Sequence, residues 1–71
     1  MAHIEAKDGK GAIQNALDAL HGMRAVLTFK NKKRGEASGV VSHDQGGNAW
    51  FKTEDKPPRL VTPRDIESID F

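Results

Sequence analysis

The stretch that most constrains the fold covers residues 39–54, with the sequence GVVSHDQGGNAWFKTE. Its apolar residues stop at HDQGG and resume at NAWF, which is typical of two strands joined by a tight turn. Asp, Asn and Gly dominate such turns because they tolerate or locally satisfy the backbone geometry required. The stretch therefore predicts a β-hairpin, and the segments around it are interpreted as further strands of the same sheet.

The segments before the hairpin turn have strand patterns of their own. Met23–Phe29 alternates along its length and is rich in β-formers, which predicts a first strand. A turn rich in Lys and Arg follows at residues 31–35, and a second strand is predicted at residues 36–44. Gly39 inside this second strand indicates a bulge, a sharp bend or a close backbone approach.

Three more short elements follow the hairpin turn. A third strand is predicted at residues 48–53, and the connector at 54–59 contains two Pro residues that cannot lie in a central strand. The remaining predicted elements are a fourth strand at residues 60–62, a tight 3₁₀ turn at Pro63–Asp65 and a fifth strand carrying Ile66, Ile69 and Phe71.

The pattern of apolar residues in the N-terminal third of the chain predicts a helix. Apolar residues recur there at helical spacing, at Ile13, Ala16, Leu17 and Leu20. We expect a helix over residues 9–21, capped by Asp8 and ended by Gly22, after a loose polar tail over residues 1–7.

The order of elements indicates the fold class. A chain of 71 residues forms one domain. Five short strands in meander order most economically curl into a small barrel. The sequence therefore predicts a mainly β domain with one helix, in which the helix precedes a strongly bent, five-stranded antiparallel barrel of SH3 or Sm type over residues 23–71.

Composition limits the function classes. The chain has no Cys, and its three His residues share no metal-like spacing with carboxylates, so neither a metal site nor a cofactor is predicted. No nucleophile motif is present, and no catalytic constellation supports an enzyme. No apolar run approaches the roughly 20 residues of a membrane span. We expect a soluble, cytoplasmic protein without a membrane partner.

Two short motifs resemble those of the Sm/Hfq-like family. Members have an N-terminal helix, a bent second strand and an Asp followed four positions later by Asn, which here reads Asp44-Gln45-Gly46-Gly47-Asn48. The second motif would be LVTPRDIESI at residues 60–69. It diverges from the family, because Thr62-Pro63-Arg64 stands where Hfq has Tyr-Lys-His and Sm proteins have Arg-Gly.

The resemblance implies a function in binding RNA or single-stranded nucleic acid. It also implies a homo-oligomeric ring, in which the fourth strand of one subunit pairs with the fifth strand of the next. In the implied base pocket, His43 or Gln45 would stack on a base, with Asp44, Asn48 and Arg64 supplying polar groups. The basic residues of the first turn, Lys30, Lys32, Lys33 and Arg34, would contact phosphates.

The same residues have other interpretations. Asp44 and Asn48 would equally serve to satisfy backbone groups of their own turn, and the basic turn would equally be a solvated hairpin tip that protects a sheet edge. Trp50 and Phe51 face opposite ways in a strand and are more often core or subunit contacts than stacking platforms. The alternative function is a protein-interaction module on a similar barrel, such as a small phage or bacterial regulator that docks on a host enzyme.

Overall fold

A computed structural model describes residues 2–71, and it contains six strands and one helix. In chain order the elements are β1 (His3–Glu5), α1 (Ala12–Ala19), β2 (Met23–Phe29), β3 (Glu36–His43), β4 (Ala49–Lys52), β5 (Arg59–Val61) and β6 (Ile66–Asp70). Two 3₁₀ turns cover Ala6–Asp8 and Pro63–Asp65. The chain is thus mainly β with one helix, and the second 3₁₀ turn lies where the sequence predicted it.

All six strands belong to one antiparallel sheet, in the order β1-β6-β2-β3-β4-β5. Because β1 and β5 are its two edges, the sheet is open, whereas the sequence predicted a closed five-stranded barrel. β5 has only three residues, and the chain leaves it through the turn Pro63–Asp65 before β6 begins. The last strand, β6, is covered on both sides, by β1 and by β2.

The sixth strand comes from the segment expected to be a loose tail. In β1, His3 lies opposite Asp70 and Glu5 lies opposite Ser68. The His3 imidazole also bridges two carboxylates, with Nδ1 2.5 Å from Asp70 Oδ1 and Nε2 3.1 Å from Glu5 Oε1. These hydrogen bonds raise the pKa of His3. Three residues are too few for a periodicity signal, and their partner strand lies at the opposite end of the chain. Met1 lies outside the described residues.

The helix is shorter than predicted but buries the predicted face. It begins at Ala12 rather than at residue 9, because Gly11 has a left-handed φ of 85°. Asp8 instead accepts the N–H of Glu5 at 2.8 Å and caps the first 3₁₀ turn. All four residues of the predicted apolar stripe are buried: Ile13, Ala16, Leu17 and Leu20. This stripe packs against β1, β6 and the two 3₁₀ turns, and it covers one side of the core.

Gly39 allows β3 to lie close to the neighbouring strand β4. A Cβ atom at this position would lie 2.3 Å from the carbonyl oxygen of Lys52 and 3.0 Å from Cζ of Phe51, which is too close for any side chain. The first part of β3 pairs with β2 and its last part with β4. The predicted close approach at Gly39 is therefore confirmed. The rings of Phe29 and Phe51, which lie on non-adjacent strands, meet edge to face at 6.4 Å.

The core lies between α1 and one face of the sheet. Its buried apolar residues come from the helix segment and from every strand except β1: Ile13, Ala16, Leu17, Leu20, Ala25, Leu27, Phe29, Val41, Ala49, Phe51, Val61, Ile66 and Ile69. Phe51 is part of this core, whereas Trp50 lies half-buried on the opposite face of β4, as the alternation predicted. Within residues 2–71, no helix has both the length and the apolar character needed to cross a membrane.

Candidate nucleic-acid interface

The residues predicted to bind nucleic acid fall into groups at opposite ends of β3. Lys30, Lys32, Lys33 and Arg34 precede this eight-residue strand, whereas His43, Asp44 and Asn48 follow or end it. The eighth, Arg64, is exposed in the turn Pro63–Asp65. The N–H of Lys30 donates to the Asp65 carbonyl at 2.9 Å, so the turn that carries Arg64 lies beside Lys30.

A cleft of about 430 Å³ opens at the first end of β3. Phe29 and Phe51 contribute its aromatic lining, and both rings belong to the core. The charged residues that line it are the four cations Lys33, Arg34, Lys56 and Arg59 and the two carboxylates Glu36 and Asp55. Four positive charges less two negative charges leave a formal charge of +2 around one small concave site.

Two of these cations, Lys56 and Arg59, are not among the binding residues that the sequence predicts. Lys56 belongs to the connector between β4 and β5, and Arg59 begins β5. The connector was interpreted only through its two Pro residues. Its basic residues lie more than twenty positions from Lys33, and the antiparallel pairing of β2, β3, β4 and β5 brings the two segments to the same end of the sheet. The available sequence signal was a second basic pair within EDKPPR.

Two further hollows adjoin the cleft, but they do not share its excess of positive charge. Two adjoining hollows of about 410 and 180 Å³ share Thr53 with it and are both lined by Arg24 and Glu54. Asp55 lines the first of these and Lys52 the second. Over the two hollows together, the two acidic residues therefore balance the two basic residues. The excess of positive charge is therefore concentrated at the cleft itself.

The basic turn is held by its own backbone and by one Asn. The side-chain Oδ1 of Asn31 accepts the N–H of Lys33 at 2.9 Å, and the Asn31 carbonyl accepts the N–H of Arg34 at 3.0 Å. The N–H of Phe29 closes the turn on the Gly35 carbonyl at 2.8 Å. Because these bonds use no basic side chain, the side chains of the turn are left to contact a ligand. Lys33 and Arg34 line the cleft, and Lys32 is exposed on the turn.

The turn at residues 44–48 uses its polar side chains internally. Oδ1 of Asp44 accepts the backbone N–H groups of Gly46 and Asn48 at 2.9 and 3.0 Å. Oδ2 accepts the side-chain amide of Asn48 at 3.2 Å and the indole N–H of Trp50 at 3.0 Å. Gly47 completes the turn with a left-handed φ of 82°. Both carboxylate oxygens are thus occupied, which is the turn-stabilising arrangement that Asx residues commonly adopt.

These hydrogen bonds also fix the charge of Asp44. The indole N–H of Trp50 contributes most and the backbone N–H of Asn48 next, and together they lower the pKa of Asp44 from 3.8 to about 2. The carboxylate therefore stays ionised throughout the neutral range. An anion at this position repels phosphates, and its lone pairs are already used by the protein.

His43 is held by a second histidine that the sequence did not single out. The backbone N–H of His43 donates to Nδ1 of His21 at 3.1 Å, and the two Nδ1 atoms lie 3.3 Å apart. The rings lie 5.4 Å apart and are tilted by 43°. His43 thus joins the end of β3 to the segment after α1.

The structure therefore divides the predicted site. It joins Lys33 and Arg34 to Lys56 and Arg59 in one cleft. It engages His43, Asp44 and Asn48 in local contacts at the other end of β3, and Arg64 is not among the donors to Asp44. In the part of the chain that the structure describes, no group of three or more His, Asp or Glu side chains is placed to hold a metal ion.

Comparison of the chain with known protein families, with curated proteins and with solved structures finds no match.

Proposed function

We propose that this protein binds single-stranded nucleic acid, and RNA in particular, in the basic cleft beside β3. One observation carries the proposal: two basic segments distant in sequence converge on a concave site. The cations Lys33 and Arg34 come from the turn before β3, and Lys56 and Arg59 come from the connector and β5. Convergent cations around a cleft attract and orient a polyanion.

The size and charge of the cleft favour one strand of nucleic acid over a duplex. Its volume of about 430 Å³ suits one small organic group, such as a base with part of its sugar. Lys33 and Lys56 would hold phosphates as point charges, whereas Arg34 and Arg59 have planar forks that bind phosphate oxygens in pairs. A base splayed into a cleft, with cations around it, is how proteins commonly recognise unpaired RNA.

We propose an Sm-like fold for this protein, but the proposed ligand site differs from the base pocket that the resemblance implies. The preceding helix, the close approach at Gly39 and the pairing of the last strand with β2 support a relation to Sm-like barrels. The proposed ligand site, however, uses the basic turn and the connector instead of Asp44, Asn48 and Arg64. A cytoplasmic location is part of the same proposal.

Ring assembly by the implied route meets an obstacle. In that route the fourth predicted strand, β5, pairs with the fifth predicted strand, β6, of a neighbour. Here β6 is already paired with β1 on one side and with β2 on the other. We therefore propose that the cleft binds nucleic acid within one subunit. Strand pairing between subunits would have to use the free edges, β5 and the outer side of β1. Light scattering with and without oligo-U measures the mass of the protein in solution and so detects self-association.

The test is a fluorescence-anisotropy titration of the protein with a labelled oligo-U of about ten nucleotides. Four phosphate contacts to a single strand give a slope of about −2.8 for log K against log salt, which is about 50-fold weaker binding at 200 than at 50 mM. Lys33→Ala and Lys56→Ala should each reduce the slope by about 0.7. Lys10→Ala, a charge-matched control before α1, should leave it unchanged. Absence of binding at low salt, or binding that ignores salt, would contradict the proposal.

A second candidate is the protein-interaction module, and the free edge of β5 favours it. Leu60 on this strand is 52% exposed, which is unusual for a large apolar side chain, and Arg59 lies next to it. An unpaired edge with an exposed Leu would accept an extended peptide as a further strand. Leu60→Lys should abolish capture of such a partner, whereas it should leave the affinity for oligo-U within a factor of about two.

A further inference from the structure

Arg34 differs from the other cations of the cleft because its guanidinium lies on an aromatic ring. Its Cζ atom is 3.9 Å from the centroid of the Phe29 ring, within the range of a cation–π contact. Phe29 is a core residue and only 6% exposed, so its ring is a fixed surface. The guanidinium therefore lies against a fixed ring while it lines the cleft.

Among the described residues, no hydrogen bond uses the guanidinium of Arg34. Within residues 2–71, its guanidinium takes part in no ion pair, and the ion pairs that form involve His3 and Lys7 instead. Its backbone is nevertheless fixed, because its N–H donates to the Asn31 carbonyl at 3.0 Å. A charged, half-buried group that lies against a fixed ring, and whose donors have no partner within residues 2–71, is prepared for a ligand.

We propose that the guanidinium of Arg34 is a stacking platform for one unpaired nucleobase. This inference rests on the proposed function and names what the cleft recognises. One face of the guanidinium covers Phe29, and the opposite face would carry the base. Its N–H donors lie in the plane of the group, so they remain free to bind a phosphate or the edge of a neighbouring base.

The aromatic rings themselves cannot serve this purpose. Phe29 and Phe51 are 6% and 5% exposed and pack against each other edge to face. Trp50 lies on the other face of β4, and its indole N–H is bound to Asp44. Stacking in the cleft therefore falls to Arg34, because its guanidinium lies over the Phe29 ring.

The experiment compares two probes of equal charge. One is a labelled oligo-U of about ten nucleotides, and the other is the abasic ribose-phosphate strand of the same length. The wild-type protein should bind the strand with bases about 5- to 150-fold more tightly, which is the range that stacking of one base contributes. Arg34→Lys keeps the charge and removes the plane. It should therefore bring the two affinities to within a factor of about two.

The matched control is Arg59→Lys, the same exchange at the other arginine of the cleft. It should keep the preference for the strand with bases. Circular dichroism shows whether each variant retains the fold. The inference is overturned if wild type binds both strands equally, if Arg34→Lys keeps the preference, or if Arg59→Lys loses it to the same extent. If neither strand binds wild type at low salt, the proposed function itself fails.

Discussion

The two turns at the ends of β3 are similar in length and polarity, yet they use their side chains in opposite ways. In the turn at residues 31–35, backbone groups and Asn31 hold the chain, so Lys33 and Arg34 extend into a cleft. In the turn at residues 44–48, the carboxylate of Asp44 holds the chain, and its four hydrogen bonds leave it little capacity for a ligand.

The difference shows how to separate a binding residue from a structural one. Both turns contain residue types found in nucleic-acid sites, and the sequence alone supports both. What separates them is whether the protein already satisfies the side chain. Asp44 has partners for both oxygens and a pKa of about 2 because of them. In contrast, the guanidinium of Arg34 touches an aromatic ring and keeps its donors free. The following predictions test this contrast.

The largest effect should follow from reversing a charge in the cleft. Arg59→Glu removes one phosphate contact and places a repulsive charge beside the others, so the affinity for oligo-U should fall tenfold or more at about 50 mM salt. Fluorescence anisotropy measures this. Lys10→Glu makes the same change in net charge outside the cleft and should cost less than about threefold. Equal losses would mean that binding depends on overall charge rather than on the cleft.

A change in the other turn should affect stability instead. Asp44→Ala leaves four donors without their acceptor, including the indole N–H of Trp50. In a domain of this size the unfolding midpoint should fall by at least about 5 °C. Calorimetry gives the midpoint, and anisotropy well below it gives the affinity. Affinity should stay within about twofold of wild type, because removal of the negative charge acts only at a distance. A large loss of affinity in the folded variant would place Asp44 in the site.

The charge of Asp44 should be visible in the pH dependence of stability. Its folded pKa is lowered to about 2 from 3.8, so its contribution is complete above the unfolded value and is lost as the pH falls from about 4 to 2. Asp44→Asn should be less stable than wild type at pH 6, and the difference should narrow across this range. The pKa of His3 is raised, so its titration affects stability at higher pH than that of Asp44. Parallel curves between pH 6 and 2 would contradict this role of Asp44.

The smallest effect is expected from Asn48→Ala. This change removes one exposed side-chain hydrogen bond, of 3.2 Å to Asp44, and keeps the backbone contact. It should reduce the free energy of unfolding by about 0.5–1 kcal/mol and leave the affinity for oligo-U unchanged. Urea denaturation measures the change in the free energy of unfolding. If the variant binds oligo-U several-fold more weakly while its stability is unchanged, Asn48 contacts the ligand.

Much of the fold could be predicted because local patterns carry it. The helical spacing of Ile13, Ala16 and Leu17 identified the buried face of α1, and strand alternation separated Phe51 from Trp50. Of the features that a glycine inside a strand indicates, the structure shows a close approach at Gly39, where a Cβ atom would lie 2.3 Å from the carbonyl oxygen of Lys52.

What the sequence did not predict depends on contacts between distant segments. β1 has three residues, and its pairing partner, β6, lies at the other end of the chain. Lys56 and Arg59 meet Lys33 and Arg34 because the antiparallel order of β2 to β5 places the basic turn and the connector at the same end of the sheet, which no spacing rule contains. Likewise, the occupied oxygens of Asp44 depend on Trp50, whose indole reaches back across the turn. Sequence patterns identified residue types with the right chemistry, whereas the fold decides which of them remain free.

The central claim is that nucleic acid binds at the basic turn and not at the turn of residues 44–48. The most direct measurement is a ¹⁵N–¹H spectrum of the protein titrated with oligo-U. Trp50 is the single tryptophan, and its indole N–H, bound to Asp44, reports on the second turn. We expect the amides of Lys33, Arg34, Lys56 and Arg59 to shift most while the indole signal stays in place. Shifts centred on Asp44, Asn48 and the Trp50 indole, with the cleft unaffected, would contradict the account.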